Sequence, residues 1–252
     1  MNRNPRLESY CPEELAGHPV FMVLPGGGYH RQADHEGAPV ALWLNSLGLN
    51  AVVLYYAVAS DYPGATLHPA PLNDARETLR WLRSGESGLG IDTARIGVLG
   101  FSAGGHLAAT LSTGAGAAPD ADRPELAVLG YPVISLVSNC HQGSVEALLG
   151  QDAPWGLRNE LSAELGATAA TPPTFLWHTA DDDAVPVENS LAYASALARH
   201  GVPFELHVFP HGRHGLGLAI NEPVPGQHPA ANWTRLCQNW LAGHDWLVPC
   251  RA

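Results

Sequence analysis

The sequence predicts one α/β domain in which a mostly parallel sheet carries helices on both faces. Three observations support this. The chain has 252 residues, which is enough for one domain with a large buried core. Short apolar runs alternate with helical patterns from residue 19 almost to the end. No internal repeat and no linker divides the chain, so we expect a single domain over residues 1–252.

Six short runs rich in valine, leucine and aromatic residues predict buried strands, at 19–24, 50–56, 95–101, 126–131, 174–178 and 204–209. The stretches between them predict helices at 37–47, 72–83, 103–113, 188–200 and 230–240. Strands that alternate with helices in this way form a parallel sheet covered on both faces. In such sheets the functional site lies at the carboxyl ends of the strands.

The segment 133–173 interrupts this alternation. It is rich in glycine, alanine, serine and proline and contains only short helical patterns. A long connection after a central strand is typically a lid over a site or a disordered insert. We expect a small lid, because the segment has apolar side chains with which to pack: Leu136, Leu148, Leu149, Trp155 and Leu157.

Charge and composition exclude several classes of partner. The formal net charge is −11, so we expect neither nucleic acid nor an anionic membrane as a partner and slightly favour a neutral ligand. No apolar stretch of membrane-spanning length and no leader pattern is present, which predicts a cytoplasmic protein. The four cysteines lack metal-like or redox-like spacing, so they are expected to be reduced thiols. A homo-oligomer is compatible with the sequence.

The strongest motif is Gly-Phe-Ser-Ala-Gly at 100–104, between a predicted strand and a predicted helix. In a nucleophile elbow the serine occupies a strained turn, and the flanking glycines let neighbouring backbone pass. The helix N-terminus places partial positive charge where an oxyanion would develop. The pattern alone can arise by chance, but this context predicts that Ser102 is a nucleophile.

A second motif, Pro-Gly-Gly-Gly-Tyr at 25–29, directly follows the first predicted strand. Three consecutive glycines are costly to order, which indicates a requirement for bare backbone. We interpret the motif as an oxyanion loop in which the amides of Gly27 and Gly28 join that of Ala103. The alternatives are a plain strand-to-helix turn and a phosphate-binding loop, although the latter lacks the usual accompanying residues.

A serine nucleophile needs a histidine base, and the base needs a carboxylate. In a fold of this kind, with a nucleophile elbow between a strand and a helix, the acid and then the histidine follow the serine in chain order. The predicted strand 174–178 leads into three adjacent aspartates, Asp181 to Asp183, and the strand 204–209 leads into a loop with His211 and His214. Both loops follow the carboxyl ends of predicted strands, as Ser102 does, so we expect these groups to lie close together.

The chain resembles the acetyl esterase and acetylxylan esterase branch of the α/β hydrolases, which is related to the hormone-sensitive-lipase-like carboxylesterases. The resemblance covers nearly the whole chain from residue 19. It is carried by Leu-Pro-Gly-Gly-Gly-Tyr at 24–29, His-Glu-Gly at 35–37, Gly-Phe-Ser-Ala-Gly-Gly-His-Leu at 100–107, His-Thr-Ala-Asp-Asp at 178–182, Val-Pro-Val-Glu-Asn-Ser at 185–190 and His-Gly-Arg-His-Gly at 211–215.

The resemblance implies an α/β-hydrolase fold and assigns the remaining catalytic positions. The family's acid is followed by two variable residues and Val-Pro, which matches Asp182 and leaves Asp183 as the alternative. The family's His-Gly matches His214, with His211 as the competitor. The chain departs from the lipase-like relatives at Pro25, where they have histidine. Because the chain before residue 19 is short, we expect the N-terminal antiparallel strands of the fold to be truncated.

Four further residues are candidates for substrate binding: Tyr29, Glu36, Tyr131 and Trp155. Glu36 could equally start a helix, and the two aromatic residues Tyr131 and Trp155 could fill the core under the lid. His106, one turn into the elbow helix, is expected to be a packed and hydrogen-bonded histidine. Cys140 and His141 are interpreted as a surface pair.

These residues predict a serine esterase with the triad Ser102, Asp182 and His214, no metal and no organic cofactor. The residues themselves indicate only an ester, whereas the resemblance implies acetylated carbohydrate such as xylo-oligosaccharide. The same triad could serve a peptidase or an aryl formamidase. A catalytically inactive binding module on this fold is the alternative from another functional class.

Overall fold

The computed structural model describes residues 6–116, 123–219 and 228–247. Its centre is a seven-stranded sheet with the order β1-β3-β2-β4-β5-β6-β7. β1 runs antiparallel to β3, and all the other neighbouring strands are parallel. The strands are β1 (Arg6–Tyr10), β2 (Val20–Leu24), β3 (Asn50–Tyr55), β4 (Ile96–Phe101), β5 (Leu126–Gly130), β6 (Thr174–Thr179) and β7 (Phe204–Phe209). The predicted α/β fold with a mostly parallel sheet is confirmed.

The helices cover both faces of this sheet. They are α1 (Ala38–Ser46), α2 (Ala70–Ser84), α3 (Ser102–Thr113), α4 (Gln142–Leu149), α5 (Trp155–Glu160), α6 (Ala163–Gly166), α7 (Glu188–Arg199) and α8 (Trp233–Gly243). Side chains of α1 and α8 pack on one face, and those of α2, α3, α4 and α7 pack on the other. None of the helices formed by the described residues has the length and apolar character that a bilayer crossing requires.

Strand β2 shows how the sequence produces these two layers. All five of its side chains are buried. Val20, Met22 and Leu24 belong to the core under α2 and α3, whereas Phe21 and Val23 belong to the core under α1 and α8. Successive side chains of a strand point to opposite faces. A continuous apolar run is therefore typical of a strand that is covered on both sides.

Strand β1 is the element that the sequence reading did not predict as a strand. Its residues Arg-Leu-Glu-Ser-Tyr form no apolar run, because β1 is an edge strand that pairs only with β3 and remains largely accessible. The Tyr55 hydroxyl of β3 donates a 3.0 Å hydrogen bond to Glu8 of β1. Within the described residues, the part of the chain before residue 19 thus contributes one antiparallel strand to the sheet.

The segment 133–173 contains α4, α5 and α6 and packs onto the α2–α3 face. Leu136, Leu148 and Leu149 are buried as predicted, and Leu157 is partly buried. Trp155 differs from the expectation, because it is 63% exposed and its ring lies 5.8 Å from the Arg158 guanidinium rather than in the core. The function of the segment as a lid stays a prediction.

The structure has Cys11, Cys140 and Cys237 as free thiols, as predicted, and Cys250 lies outside the described residues. Burial raises the pKa of both Cys11 and Cys237. A thiol with a raised pKa is a poor nucleophile. These two cysteines therefore act as core side chains.

Candidate active site

The turn between β4 and α3 holds Ser102 in the geometry expected of a nucleophile elbow. β4 ends at Phe101 and α3 begins at Ser102, whose φ of 51° is positive. A positive φ is strained for a residue with a side chain. A Cβ on Gly104 would lie 2.1 Å from the Leu24 carbonyl oxygen, and one on Gly100 would lie 2.3 Å from the Gly104 carbonyl oxygen. The flanking glycines are therefore required by close backbone contacts.

His214 connects Ser102 to a carboxylate. The His214 Nε2 atom lies 2.8 Å from Ser102 Oγ, and its Nδ1 atom lies 2.7 Å from Asp182 Oδ2. Asp182 follows β6, His214 follows β7 and Ser102 follows β4, so all three side chains lie at the carboxyl ends of parallel strands. The structure thus brings together the three residues that the sequence predicted as a triad.

The surroundings of Asp182 keep its carboxylate ionised. Burial by itself raises the pKa of Asp182. Hydrogen bonds from His178 and His214, the charge of His214 and the backbone N–H of Val185 lower it by more than burial raises it, so the pKa lies well below its usual value. The N–H groups of Ala184 and Val185 both donate to Oδ1 at 2.9 Å. The second carboxylate oxygen is left for the histidines.

The neighbouring aspartates have separate partners in the histidine loop. Asp181 binds His211 Nδ1 at 2.9 Å and the N–H of Gly212 at 2.8 Å. Asp183 accepts a 3.3 Å hydrogen bond from the backbone N–H of His214. His211 is 82% exposed in its side chain. Asp182 therefore faces the His214 ring, whereas Asp181 and Asp183 fix the loop that carries it.

The loop 26–28 exposes backbone amides beside Ser102. Gly27 and Gly28 have φ values of 120° and 66°, which favour glycine. A Cβ on Gly27 would lie 2.1 Å from the Arg31 carbonyl oxygen. Within the described part of the chain, the amides of Gly27, Gly28 and Ala103 donate no hydrogen bond to a protein atom. Such free donors beside a nucleophile are able to bind an oxyanion.

Glu36 links this glycine loop to the loop that carries His214. The carboxylate is buried and accepts hydrogen bonds from the Gly26 N–H at 2.7 Å and from the Tyr131 hydroxyl at 2.5 Å. The Gly217 N–H in turn donates to the Tyr131 hydroxyl at 2.7 Å. One buried carboxylate, through the Tyr131 hydroxyl, therefore fixes the position of the glycine loop relative to the loop that carries His214.

The Glu36→Gln variant is expected to lose activity and stability together. Its amide group would direct an N–H toward one of two donors, Gly26 N–H or Tyr131 O–H. A buried donor without an acceptor costs about 1–3 kcal/mol. We expect kcat on p-nitrophenyl acetate to fall at least about tenfold with little change in KM, since small displacements of a catalytic group are costly. Steady-state kinetics and thermal unfolding measure both effects.

The exposed Glu188 at the start of α7 provides the control for this prediction. The Glu188→Gln variant should keep the wild-type kcat and change the midpoint of unfolding only slightly, because an exposed side chain loses no buried hydrogen bond. A Glu36→Gln protein with wild-type kcat and stability would show that the carboxylate does not position the loops.

Tyr29 and His106 form a second support behind the glycine loop. The Tyr29 hydroxyl lies 2.7 Å from His106 Nδ1, and His106 Nε2 lies 2.8 Å from the Leu161 carbonyl oxygen. Because a carbonyl only accepts, Nε2 carries the proton and Nδ1 accepts from Tyr29. Burial lowers the pKa of His106 to about 4. The prediction of a packed, hydrogen-bonded His106 is confirmed, and its partner in the glycine loop is new.

The four residues predicted to bind substrate lie in two different environments. Tyr29, Glu36 and Tyr131 are almost fully buried and their polar groups have internal partners, so the structure gives them supporting positions. Trp155 is exposed on α5. Contact between a substrate and these residues stays a prediction.

Sequence reasoning missed the positions of two histidines that lie near the candidate catalytic groups. His178 lies behind the carboxylate of Asp182. Its Nε2 atom is 3.4 Å from Asp182 Oδ2, and its Nδ1 atom is 2.8 Å from Ser190 Oγ. His141 is half-buried rather than a surface residue, because its ring lies against the glycine loop, 3.8 Å from the position of a Cβ on Gly28. A residue on a long connection carries no periodic signal that reveals such a contact.

Known proteins resemble this chain in sequence. A family model described as the alpha/beta hydrolase fold matches residues 25–218. The endo-1,4-beta-xylanase B of Butyrivibrio fibrisolvens is 35% identical in an alignment of 232 positions that covers 88% of this chain and 36% of that protein. The acetylxylan esterase of Xylanibacter ruminicola is 32% identical in an alignment of 220 positions that covers 83% of this chain and 43% of that protein. The matched part of the chain thus spans less than half the length of each of these two relatives.

A solved structure resembles the chain over almost its whole length. The acetyl ester-xyloside bifunctional hydrolase from Caldicellulosiruptor lactoaceticus superposes with a TM-score of 0.88 and 47% identity, covering 97% of this chain and 89% of that one. The resemblance inferred from the sequence motifs is confirmed. With the fold, the elbow and a family model that spans most of its residues in agreement, the chain belongs to the α/β-hydrolase family.

Proposed function

We propose that the protein is a serine carboxylesterase that hydrolyses short acyl esters, chiefly acetyl esters of carbohydrates. The observation that carries the proposal is the hydrogen-bonded series Ser102–His214–Asp182, with heavy-atom distances of 2.8 and 2.7 Å. This arrangement is the one required for nucleophilic attack by a hydroxyl on a carbonyl carbon. The esters named for the acetylxylan esterase and the acetyl ester-xyloside hydrolase support the choice of acetyl.

The first half of the reaction forms an acyl-enzyme. His214 Nε2 takes the proton of Ser102 as Oγ attacks the ester carbonyl, and the amides of Gly27, Gly28 and Ala103 bind the resulting oxyanion. Asp182 stabilises the imidazolium that forms. The tetrahedral intermediate then collapses, the bond to the alcohol oxygen breaks, and His214 gives its proton to the departing alcohol.

The second half regenerates the enzyme. Water, deprotonated by His214, attacks the acyl carbon, and the carboxylic acid leaves as Ser102 regains its proton. The triad and the three backbone amides supply every protein group that the two halves of this reaction require. The alternatives of a peptidase, an aryl formamidase and an inactive binding module use or retain the same triad, but no observation favours them over an esterase.

The preference for a short acyl group is tested by initial rates on p-nitrophenyl acetate, butyrate and octanoate, together with acetate release from acetylated xylo-oligosaccharide. We expect the acetate ester to be hydrolysed fastest and the oligosaccharide to lose acetate. A maximum at octanoate would contradict the short-acyl part of the proposal. Hydrolysis of an anilide analogue with no activity on any ester would favour amide chemistry instead.

A further inference from the structure

His141 presents a free hydrogen-bond donor next to the glycine loop. It is the N-cap residue of α4, and its Nδ1 atom accepts a 3.2 Å hydrogen bond from the backbone N–H of Ser144. A backbone N–H can only donate, so Nδ1 is unprotonated and the proton of the neutral ring is on Nε2. Among the residues that the structure describes, no group bonds to this Nε2 atom.

The surroundings of His141 keep the ring neutral during the reaction. Burial lowers the pKa of His141, and the nearby positive form of His214 lowers it further. The charge of Asp182 raises the pKa of His141, and that of His30 lowers it. The ring is therefore a neutral donor with its N–H fixed on Nε2, and it lies close enough to the triad to be influenced by its charges.

A second histidine lies against the same glycine. The Cδ2 atom of His30 is 3.7 Å, and the Cε1 atom of His141 3.8 Å, from the position of a Cβ on Gly28. The His30 side chain is exposed, and neither ring nitrogen has a hydrogen-bond partner in the described segments. Two imidazoles thus lie against Gly28, the residue whose amide is expected to bind the oxyanion.

His30 also lines an open groove of about 320 Å³. One wall is formed by residues 59–66, with Tyr62 and Thr66, and the other by residues 146–151, with Glu146 and Gln151. Its volume is within the range of roughly 300–1,000 Å³ that is usual for small-molecule sites. Helix α4 runs from the glycine loop to the groove. His141 is its N-cap residue, and Glu146, which lines the groove, lies about 7.5 Å further along the helix axis.

The chemistry of the walls suits an uncharged polyhydroxylated ligand. Hydroxyl, carboxylate and amide groups offer donors and acceptors to hydroxyl groups, and the Tyr62 ring offers an apolar surface. The groove residues include one carboxylate and no fully ionised cation, and the chain carries a formal net charge of −11. An anionic alcohol is therefore disfavoured.

We propose that this groove binds the sugar portion of the ester and that the Nε2–H of His141 donates a hydrogen bond to an oxygen atom of that sugar. The inference rests on the proposed esterase function and specifies where its alcohol lies. It makes His141 a specificity residue rather than a member of the triad. Esters of small alcohols have no sugar to place in the groove, so their hydrolysis should not depend on it.

The His141→Asn variant separates the two functions of the side chain. Asparagine is a good N-cap, so its side-chain oxygen can still accept from the Ser144 N–H and preserve α4. It has no group at the position of Nε2. We expect kcat/KM on acetylated xylo-oligosaccharide to fall about three- to tenfold, the usual net value of one hydrogen bond, whereas kcat/KM on ethyl acetate stays within about twofold.

The control is His200→Asn, which changes an exposed histidine at the end of α7 and should alter neither rate. A second variant, Ala65→Trp, fills the groove from an exposed position on its wall. It should reduce hydrolysis of the oligosaccharide acetate, through a raised KM, without affecting ethyl acetate.

The outcomes distinguish failure of the inference from failure of the proposed function. If the wild-type protein hydrolyses ethyl acetate and the sugar acetate, but the His141→Asn and Ala65→Trp variants lower both rates equally or neither, the groove is not the sugar site. If it hydrolyses ethyl acetate but no sugar acetate, the inference is overturned and the esterase activity stands. If it hydrolyses no acetate ester, the proposed function fails and the inference fails with it.

Discussion

Replacement of Ser102 by alanine is expected to lower kcat on p-nitrophenyl acetate by about 10⁴-fold or more. The variant has no hydroxyl to form the acyl-enzyme, and the remaining rate would come only from the oxyanion amides and from substrate binding. The fold should survive, because the change removes a single oxygen atom. A fluorophosphonate probe should label the wild-type protein at Ser102 and leave the variant unlabelled.

Ser112 provides a matched control for this result. It lies in the same helix, α3, is fully buried, and its hydroxyl has no hydrogen-bond partner among the described residues. The Ser112→Ala variant should retain wild-type kinetics and labelling. If Ser102→Ala retained the wild-type rate on every ester, another residue would have to be the nucleophile.

Replacement of Asp182 by asparagine is expected to lower kcat by about 10⁴-fold. The Ala184 and Val185 N–H groups both bind Oδ1, so the asparagine oxygen should take that place and its NH₂ group should face His214 Nδ1. His214 would then carry its proton on Nε2, toward Ser102, and could not accept the serine proton. The negative charge that stabilises the imidazolium is lost as well.

The acid stability of the protein gives a second readout for the same change. The pKa of Asp182 is lowered in the folded protein, so its ionised form stabilises the fold above the unfolded pKa of about 3.9 and this contribution disappears as the pH falls. The Asp182→Asn variant should lose this part of the pH dependence in chemical unfolding between neutral and acidic pH.

Asp183→Asn is the control for Asp182→Asn, because among the described residues Asp183 contacts His214 through its backbone N–H and not through its ring. Its rate should fall less than about tenfold, the cost of one weakened hydrogen bond. Equal losses in the two variants would mean that the acid of the triad is not Asp182.

The fold and the three candidate catalytic positions could be predicted from the sequence because their signals are local. The doubly covered strands appear as continuous apolar runs, and the glycines around Ser102 record close backbone contacts that exclude a Cβ. The acid and base positions follow from the order of the strand ends and from family motifs. Each motif lies within a few consecutive residues, and the order of the strands can be read along the chain.

The parts that could not be predicted depend on contacts between distant segments. β1 is a half-exposed edge strand, so its polar residues show no apolar run. His141 reaches the glycine loop only because the segment 133–173 packs against α3, and the exposure of Trp155 is decided by the same packing. The local sequence around these residues does not determine whether they are buried or exposed, because tertiary contacts fix their positions.

The buried carboxylate of Glu36 has a consequence for how the enzyme acquires activity. It joins Gly26 to Tyr131, 95 positions from Glu36 along the chain, while the adjacent His35 bonds the Gly215 carbonyl oxygen across 180 positions. Contacts that close such long loops form late in folding, since their entropy cost must be met before they contribute. During synthesis the first half of the sheet can therefore be in place while the enzyme is still inactive. We therefore expect the proposed hydrolysis to begin only after the last strand and the loop that follows it have folded, so that activity would report completion of the whole fold.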